Sequence, residues 1–299
     1  MSQGTMEIGI LTRNPMAWCS KTLAQAFSRL GAGVSFLRFD RLLARVGSRP
    51  LASHRSPDLR DLMGLDALVV RPVGRGSLEE IIFRMDLLRR LEAEGVVVVN
   101  PAEAIEICSD KYRALWLMEL AGLPVPRTIV TEDVRSAMRA FWELGGDVVV
   151  KPIFGSRGMG SVRVTDPDTA LRVFRAIAFQ HGVIYMQEFV SHGPYDIRAF
   201  VVGGEVVASM RRVSGSWKKN VYQGARPEPL ELSEELSELA IRAAEVTKCE
   251  VAGVDILPGP RGPLLTEINS QPGWMGLQSV AKTDIAMRIA SYVLSKVKS

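Results

Sequence analysis

Two different grammars share this chain, and the change between them near residue 106 restricts the folds open to it. Up to that point, apolar runs of strand length alternate with stretches of helix length: "MEIGILT" (6–12), "CSKTLAQAFSRLGAG" (19–33, closed by Gly31), "VSFLRF" (34–39), "DALVVRP" (66–72), "SLEEIIFRMDLLRRLEAEG" (77–95) and "VVVVN" (96–100). Strands separated by helices form βαβ units and a parallel sheet, so a small doubly wound domain is expected over 6–106. Beyond it, "SDKYRALWLMELAG" (109–122) reads as a helix capped by Ser109 or Asp110 and stopped at Gly122. Strands then come in neighbouring pairs joined by glycine turns: "DVVVKPI" with "SVRVT", "RAFVVGGEVVASM", and "VAGVDIL" with "PLLTEIN". Short connections make these antiparallel hairpins. Two helices interrupt them, at 166–182 and 233–248, the second with Leu236, Leu239, Ala240 and Ala243 on one stripe. The expected class is therefore α/β followed by α+β.

A chain of 299 residues can bury a large core and suggests roughly two domains at about 150 residues each. Its longest aliphatic runs fall far short of the ~20 residues a membrane helix needs, and its first residues lack a signal-peptide pattern, so the cytoplasm is the expected location. Cys19, Cys108 and Cys249 form no C-x-x-C pair, and His54, His181 and His192 have no metal-pair or triad spacing, so neither a zinc site nor hydrolase chemistry is expected. A net charge of +4, spread along the chain with few aromatic residues, gives no support for nucleic acid.

In "LLTEINSQPGW" (264–274), Glu267 and Asn269 sit two apart and share one face of a strand. If the hairpin turns about Arg261, Asp255 of the preceding strand lies opposite Glu267. Two facing carboxylates repel unless a cation sits between them, and magnesium held by carboxylates plus phosphates meets that need; a polar, solvent-facing strand is the alternative. The segment "VVVKPIFGSRGMGSVRV" (148–164) is not a Walker loop, since Lys151 precedes the glycines. It reads as a hairpin whose tip, with Gly155, Gly158 and Gly160, either lies over phosphates beside Lys151 or is a plain flexible turn. Lys111 opens a helix whose N–H groups favour an anion, although a lone lysine there also suits open solvent. Glu188 of "IYMQEFV" is set among apolar neighbours.

In this order, Lys111, the Lys151 glycine loop, the "MQEFV" strand and the D…E-x-N hairpin resemble the ATP-grasp superfamily over nearly the whole chain. That resemblance implies an ATP-grasp fold with an N-terminal Rossmann-like domain at 6–106, a small lid subdomain at 107–190 and a large subdomain at 191–299. The segments "YDIRAFVVGGEVVASMRRV", "WKKNVYQGA", "AGVDIL" and "EINSQPGWMGLQ" are similar to the α-L-glutamate ligases of the RimK group. Members attach glutamate, or a similar amino acid, to a carboxylate on a ribosomal or carrier protein, or on pterin and deazaflavin coenzymes. Self-assembly into homo-oligomers is common among them.

Carried over by motif, the resemblance implies that Lys111 and Lys151 contact ATP phosphates under the loop formed by Gly155, Ser156, Arg157, Gly158 and Gly160. Glu188, Phe189 and Val190 line the adenine slot and Asp196 the ribose side, while Lys218 and Asn220 face the phosphates and the reacting centre. Asp255, Glu267 and Asn269 hold two magnesium or manganese ions. Arg198 and Arg211, with Arg212 behind them, are candidates to clamp the acceptor carboxylate or the tetrahedral intermediate. The chain departs from the group in "NSQPGW", where N-x-S-P-G is common, and in "NVYQGARPE" (220–228), where an Arg-Gly-Gly type loop is common. The second departure points away from a protein tail; the family resemblance alone implies a coenzyme acceptor such as tetrahydromethanopterin or the deazaflavin coenzyme. Asn14 and Trp18, after the first strand, are candidate acceptor contacts. A different carboxylate–amine ligase or a non-catalytic ATP-binding module is the rival reading.

Overall fold

The computed structural model describes residues 5–55, 59–155, 158–217, 219 and 221–298. Its N-terminal part runs β1 (Glu7–Leu11), α1 (Trp18–Arg29), β2 (Gly33–Leu37), β3 (Leu42–Ala44), β4 (Ala52–Arg55), β5 (Leu59–Asp61), β6 (Ala67–Val70), α2 (Leu78–Ala93) and β7 (Val97–Val99). The helical connections place strands in the order β2-β1-β6-β7, all parallel, as the alternation predicts. Gly31 stops the chain after α1 with φ +82°, a conformation that side chains with a Cβ resist. Ser77 and Glu80 form a reciprocal capping box at the start of α2. The antiparallel β3–β4–β5 sheet, inserted between β2 and β6, was not expected: strands of three or four residues carry too short a pattern to read.

The middle of the chain runs α3 (Ala102–Ser109), α4 (Lys111–Leu120), β8 (Thr128–Thr131), α5 (Val134–Glu143), β9 (Val148–Lys151), β10 (Val162–Val164), α6 (Pro167–Phe179) and β11 (Ile184–Glu188). Asp110 caps α4 through the amides of Tyr112 and Arg113. β8–β11 form an antiparallel sheet in the order β10-β9-β11-β8, with a small core of its own around Phe141, Phe174 and Met186. The remaining strands, β12 (Tyr195–Val202), β13 (Glu205–Val213), β14 (Arg226–Pro229), β15 (Val251–Gly259) and β16 (Gly262–Asn269), make a second antiparallel sheet in the order β14-β13-β12-β15-β16. α7 (Glu234–Val246) lies between β14 and β15, and α8 (Met275–Gln278) and α9 (Ile285–Lys298) close the chain.

The five-stranded sheet is covered on both faces. Ile197, Ala199, Val201, Val254 and Ile256 pack on one side with residues of α3, α4 and α7. On the other, Phe200, Val202 and Met210 join Trp274, α9 and the N-terminal residues Ile8, Ile10 and Phe27 in one core. No helix among the described residues is long and apolar enough to cross a membrane.

Candidate active site

Period-two alternation along β12 decides what faces the cleft. Asp196 and Arg198 project to the side that Phe200 and Val202 take further along, so one face of the strand is charged at one end and core at the other. Register brings Arg212 of β13 opposite Asp196 and Asp255 of β15 opposite Arg198. Asp255 in turn lies opposite Glu267 of β16. That pairing was expected from a turn about Arg261, but it arises differently. The turn residues are Pro260 and Arg261, which alone would set Thr266 against Asp255; an irregularity between Asp255 and Ile256 takes up one residue of β16 and delivers Glu267 instead.

Two arginines neutralise the acids of β12 and β15. Arg198 grips Asp255 with a fork, Nε to Oδ1 and Nη2 to Oδ2 at 2.9 Å. Arg212 forks onto Asp196, both bonds 2.7 Å, and adds a 3.1 Å contact to Asp255 Oδ1. Burial by itself would raise the Asp255 pKa, but Arg198 and Arg212 more than reverse it and hold the carboxylate below its usual range. Burial would likewise lower Arg212, and Asp255 and Asp196 outweigh it to keep the guanidinium charged. Glu267 lines the same cleft and enters no ion pair among the described residues. Among those residues no three His, Cys, Asp or Glu groups cluster closely enough to cage a metal. The donor set therefore suits magnesium, a hard ion content with one or two carboxylates plus phosphate oxygens, and does not suit a metal held by protein alone.

Opposite this face stands the β9–β10 hairpin. The cleft is open to solvent, with Lys111, Lys151, Gly155, Glu188, Asp255 and Glu267 among its walls. Lys151, at the end of β9, donates to Gln187 Oε1 at 2.7 Å; burial pulls its pKa down to about 8, with Glu267 opposing that shift. Lys111 Nζ donates to the carbonyl of Gly155 at 2.7 Å, tying the start of α4 to the glycine loop. Gly158 and Gly160 have φ +67° and +77°, so the loop needs glycine where the backbone turns under it.

Several of the expected site residues have partners within the protein. Glu188 borders the cleft, and its carboxylate accepts from Arg127, from the backbone N–H at 3.0 Å and Nε at 2.7 Å. Phe189 and Val190 line the same wall. Asp196 lines the cleft and accepts a fork from Arg212. Arg211 alternates away from the cleft, stacks on Tyr195 at 5.5 Å and approaches Glu228 at 3.8 Å; Arg212, ranked behind it, is the one that faces the site. Asn269 lies opposite Gly253, two pairs beyond Glu267, and is not among the residues that line the cleft. Asn14 folds its side chain back onto the amide of Met16. Ser156, Arg157, Lys218 and Asn220 lie outside the described residues. Sequence reasoning missed Gln187 and Lys219. Gln187 follows from strand alternation with Tyr185; Lys219 is buried and held by the carbonyl of Ser214 at 2.6 Å, and no periodic signal marks it.

A RimK-like ATP-grasp domain model matches residues 108–293. A tetrahydromethanopterin:alpha-L-glutamate ligase of Methanococcus maripaludis is 40% identical over 244 residues, covering 80% of this chain and 82% of that protein. The enzyme of the same name from Methanosarcina acetivorans is 34% identical over 306 residues, covering 91% and 93%. A probable alpha-L-glutamate ligase of Syntrophotalea carbinolica is 31% identical, covering 98% and 97%. Among solved structures, the ATP-grasp ligase PsnB, complexed with a minimal precursor, Mg and ADP, superposes with a TM-score of 0.75 at 20% identity, covering 98% of each chain. A RimK-domain ATP-grasp protein from Sphaerobacter thermophilus gives 0.75 at 21% identity, covering 96% and 99%. At such identity the two structures speak for the fold.

Proposed function

Because this chain belongs to the RimK-like ATP-grasp family, whose relatives above are C–N bond-forming ligases, we propose that it joins L-glutamate to a coenzyme carboxylate of the tetrahydromethanopterin type. It is an ATP-dependent ligase, and ADP and phosphate are the proposed by-products. The observation that carries the reading is the convergence of Lys111, Lys151, Asp255 and Glu267 on one cleft between a glycine-tipped hairpin and a rigid sheet. The proposed location is the cytoplasm, where ATP and glutamate are supplied.

A carboxylate does not react with an amine at neutral pH, because oxide is too poor a leaving group. Transfer of the γ-phosphoryl group of ATP makes an acyl phosphate, and the amine then expels phosphate. Such transfer asks the protein for charge and alignment more than for covalent help. Lys111 at the start of α4 and Lys151 at the end of β9 supply cationic groups for the phosphates, and the hairpin that follows Lys151 is proposed to exclude water. Asp255 and Glu267 are the proposed holders of divalent metal, with Asn269 the next oxygen on that face for a second ion; bound metal would neutralise phosphate oxygens. Arg198, once its fork leaves Asp255, is the proposed partner of the acceptor carboxylate.

The test is mass spectrometry of each acceptor after incubation with ATP, magnesium, glutamate and protein. A gain of one glutamyl residue on tetrahydromethanopterin is expected. A gain only on a peptide C-terminus would overturn the acceptor, and no ADP with any acceptor would overturn the ligase reading.

A further inference from the structure

The strands β1 and β6 lie side by side and parallel, with Leu11 opposite Val70 at their carboxyl ends. From there the chain leaves in opposite directions: β1 continues to β2 on one edge, β6 to β7 on the other. Loops that diverge in this way open a crevice at the carboxyl end of a parallel sheet, where ligands bind. Arg71 is the first residue after β6, and it is buried at 6% exposure.

Its surroundings are unusual for a buried cation. The guanidinium stacks 4.6 Å from the ring centroid of Trp274, and its one hydrogen-bond acceptor among the described residues is the carbonyl of Pro272, at 2.9 Å from Nη2. Burial pulls its pKa down, with the neighbouring Cys19 thiol opposing the shift and no carboxylate among the described residues beside it. A guanidinium has five N–H donors, so most of the fork remains unbonded. Arg198 and Arg212 in the adjoining active site each fork onto an acid; Arg71 does not.

More cationic groups stand at the same edge. Arg13 lies across Gly74, where φ is +81° and any Cβ would collide with the arginine side chain. Arg84 supports the 71–76 loop by donating to the carbonyls of Val73 (3.2 Å) and Arg75 (3.3 Å), and is itself neutralised by Glu80 at 3.1 Å. Arg13 and Arg75 are exposed and enter no ion pair among the described residues. The crevice also communicates with the reacting centre. A Cβ on Gly253 would lie 3.0 Å from Pro272 Cβ and 2.6 Å from Arg198 Nη1, so the proline that holds Arg71 also packs near Arg198. Gln271 fixes this junction, donating to the Arg71 carbonyl at 3.1 Å and accepting from the Val73 amide at 3.2 Å.

We propose that Arg71, with Arg13 and Arg75 at the rim, forms a subsite for a second oxyanion on the acceptor, apart from the carboxylate that receives glutamate. The acceptor is then at least a dianion, its reacting carboxylate near Arg198 and its other carboxylate or phosphate on Arg71. This rests on the ligase reading above and adds the charge of the acceptor to it.

Calorimetry on the full chain tests it, with magnesium ADP and saturating L-glutamate filling the other sites and glutarate as the probe. Glutarate is expected to bind, with affinity reduced tenfold or more by Arg71→Lys, which keeps the charge but loses the fork, and threefold or more by the exposed double variant Arg13→Ala/Arg75→Ala. No binding to the unaltered protein, or equal binding by the double variant, overturns the subsite. Where the coenzyme is turned over, the double variant is expected to raise the KM of the acceptor and leave those of ATP and glutamate unchanged; a rise for glutamate instead assigns the crevice to glutamate and overturns the proposal. Failure of the ligase reading shows separately, as absence of glutamylated product from the unaltered protein.

Discussion

Asp255 and Glu267 face each other, yet they should respond differently to losing their charge. Asp255→Asn strips the carboxylate that Arg198 and Arg212 share, and breaking a buried ion pair in this way costs about 3–5 kcal/mol. Both activity and urea resistance are expected to fall. Glu267→Gln disturbs no ion pair among the described residues, so unfolding should stay close to the parent's while ADP formation drops by about 10²-fold, the scale for losing one electrostatic contact in a transition state. Equal turnover by the Glu267 variant would remove it from the metal set. Lys151 sets a pH dependence. With its pKa near 8, it is charged below that value and neutral above it, so the KM for ATP is expected to rise between pH 7 and 9. Stability moves the opposite way. The folded pKa lies below the unfolded value, so the fold bears the burial penalty below pH 8 and sheds it as pH climbs from about 8 towards the ordinary lysine value of 10.5. Lys151→Met should flatten the KM profile. At this scale the sequence was partly legible: Lys111, Lys151, Asp255 and Glu267 meet as their motifs suggested. The protein partners of Glu188, Asp196 and Arg211 were not legible, because each comes from another part of the chain. Cys108 and Cys249, unremarkable in the sequence, approach to 3.2 Å between sulfurs for the same reason.

Among the elements, the hairpins were the most readable. The β12–β13 turn at Gly203 and Gly204, with φ +59° and +82°, is a two-residue turn announced by its glycine pair. β9 and β10 pair as "DVVVKPI" and "SVRVT" suggested. The irregularity in β15–β16 was not readable, since a strand carries no local mark of which residue its partner will skip, yet it sets Glu267 rather than Thr266 against Asp255. β15 contributes a second constraint at Gly253, where an added Cβ would press on both Arg198 and Pro272. Gly253→Ala is expected to push the Arg198 head off Asp255, costing about 1–3 kcal/mol as overpacking does and slowing turnover. Unchanged denaturant midpoint and rate would show that Arg198 has room to move.

For the whole molecule, the shared core matters more than the boundaries between sheets. Ile8, Phe27, Phe200, Trp274 and Ile289 belong to one buried cluster, so the N-terminal sheet and the five-stranded sheet should unfold together. The β8–β11 sheet has its own cluster around Phe141 and Phe174. Calorimetry should therefore resolve two transitions, with Ile289→Ala, at about 2–5 kcal/mol for a buried truncation, lowering the larger and Phe174→Ala lowering the smaller. A single transition shifted alike by both variants would show the sheets to be one cooperative unit. The sequence by itself determined the order of the parts: a parallel βα sheet, then glycine-joined hairpins, with lysines and carboxylates spaced along them, because periodicity and turn chemistry act over a few residues. Tertiary structure alone decided which charges meet. Arg71 comes to rest on Trp274, Arg198 and Arg212 close on Asp255, and α9 returns to pack on α1, all through pairings across chain separations that no local pattern encodes.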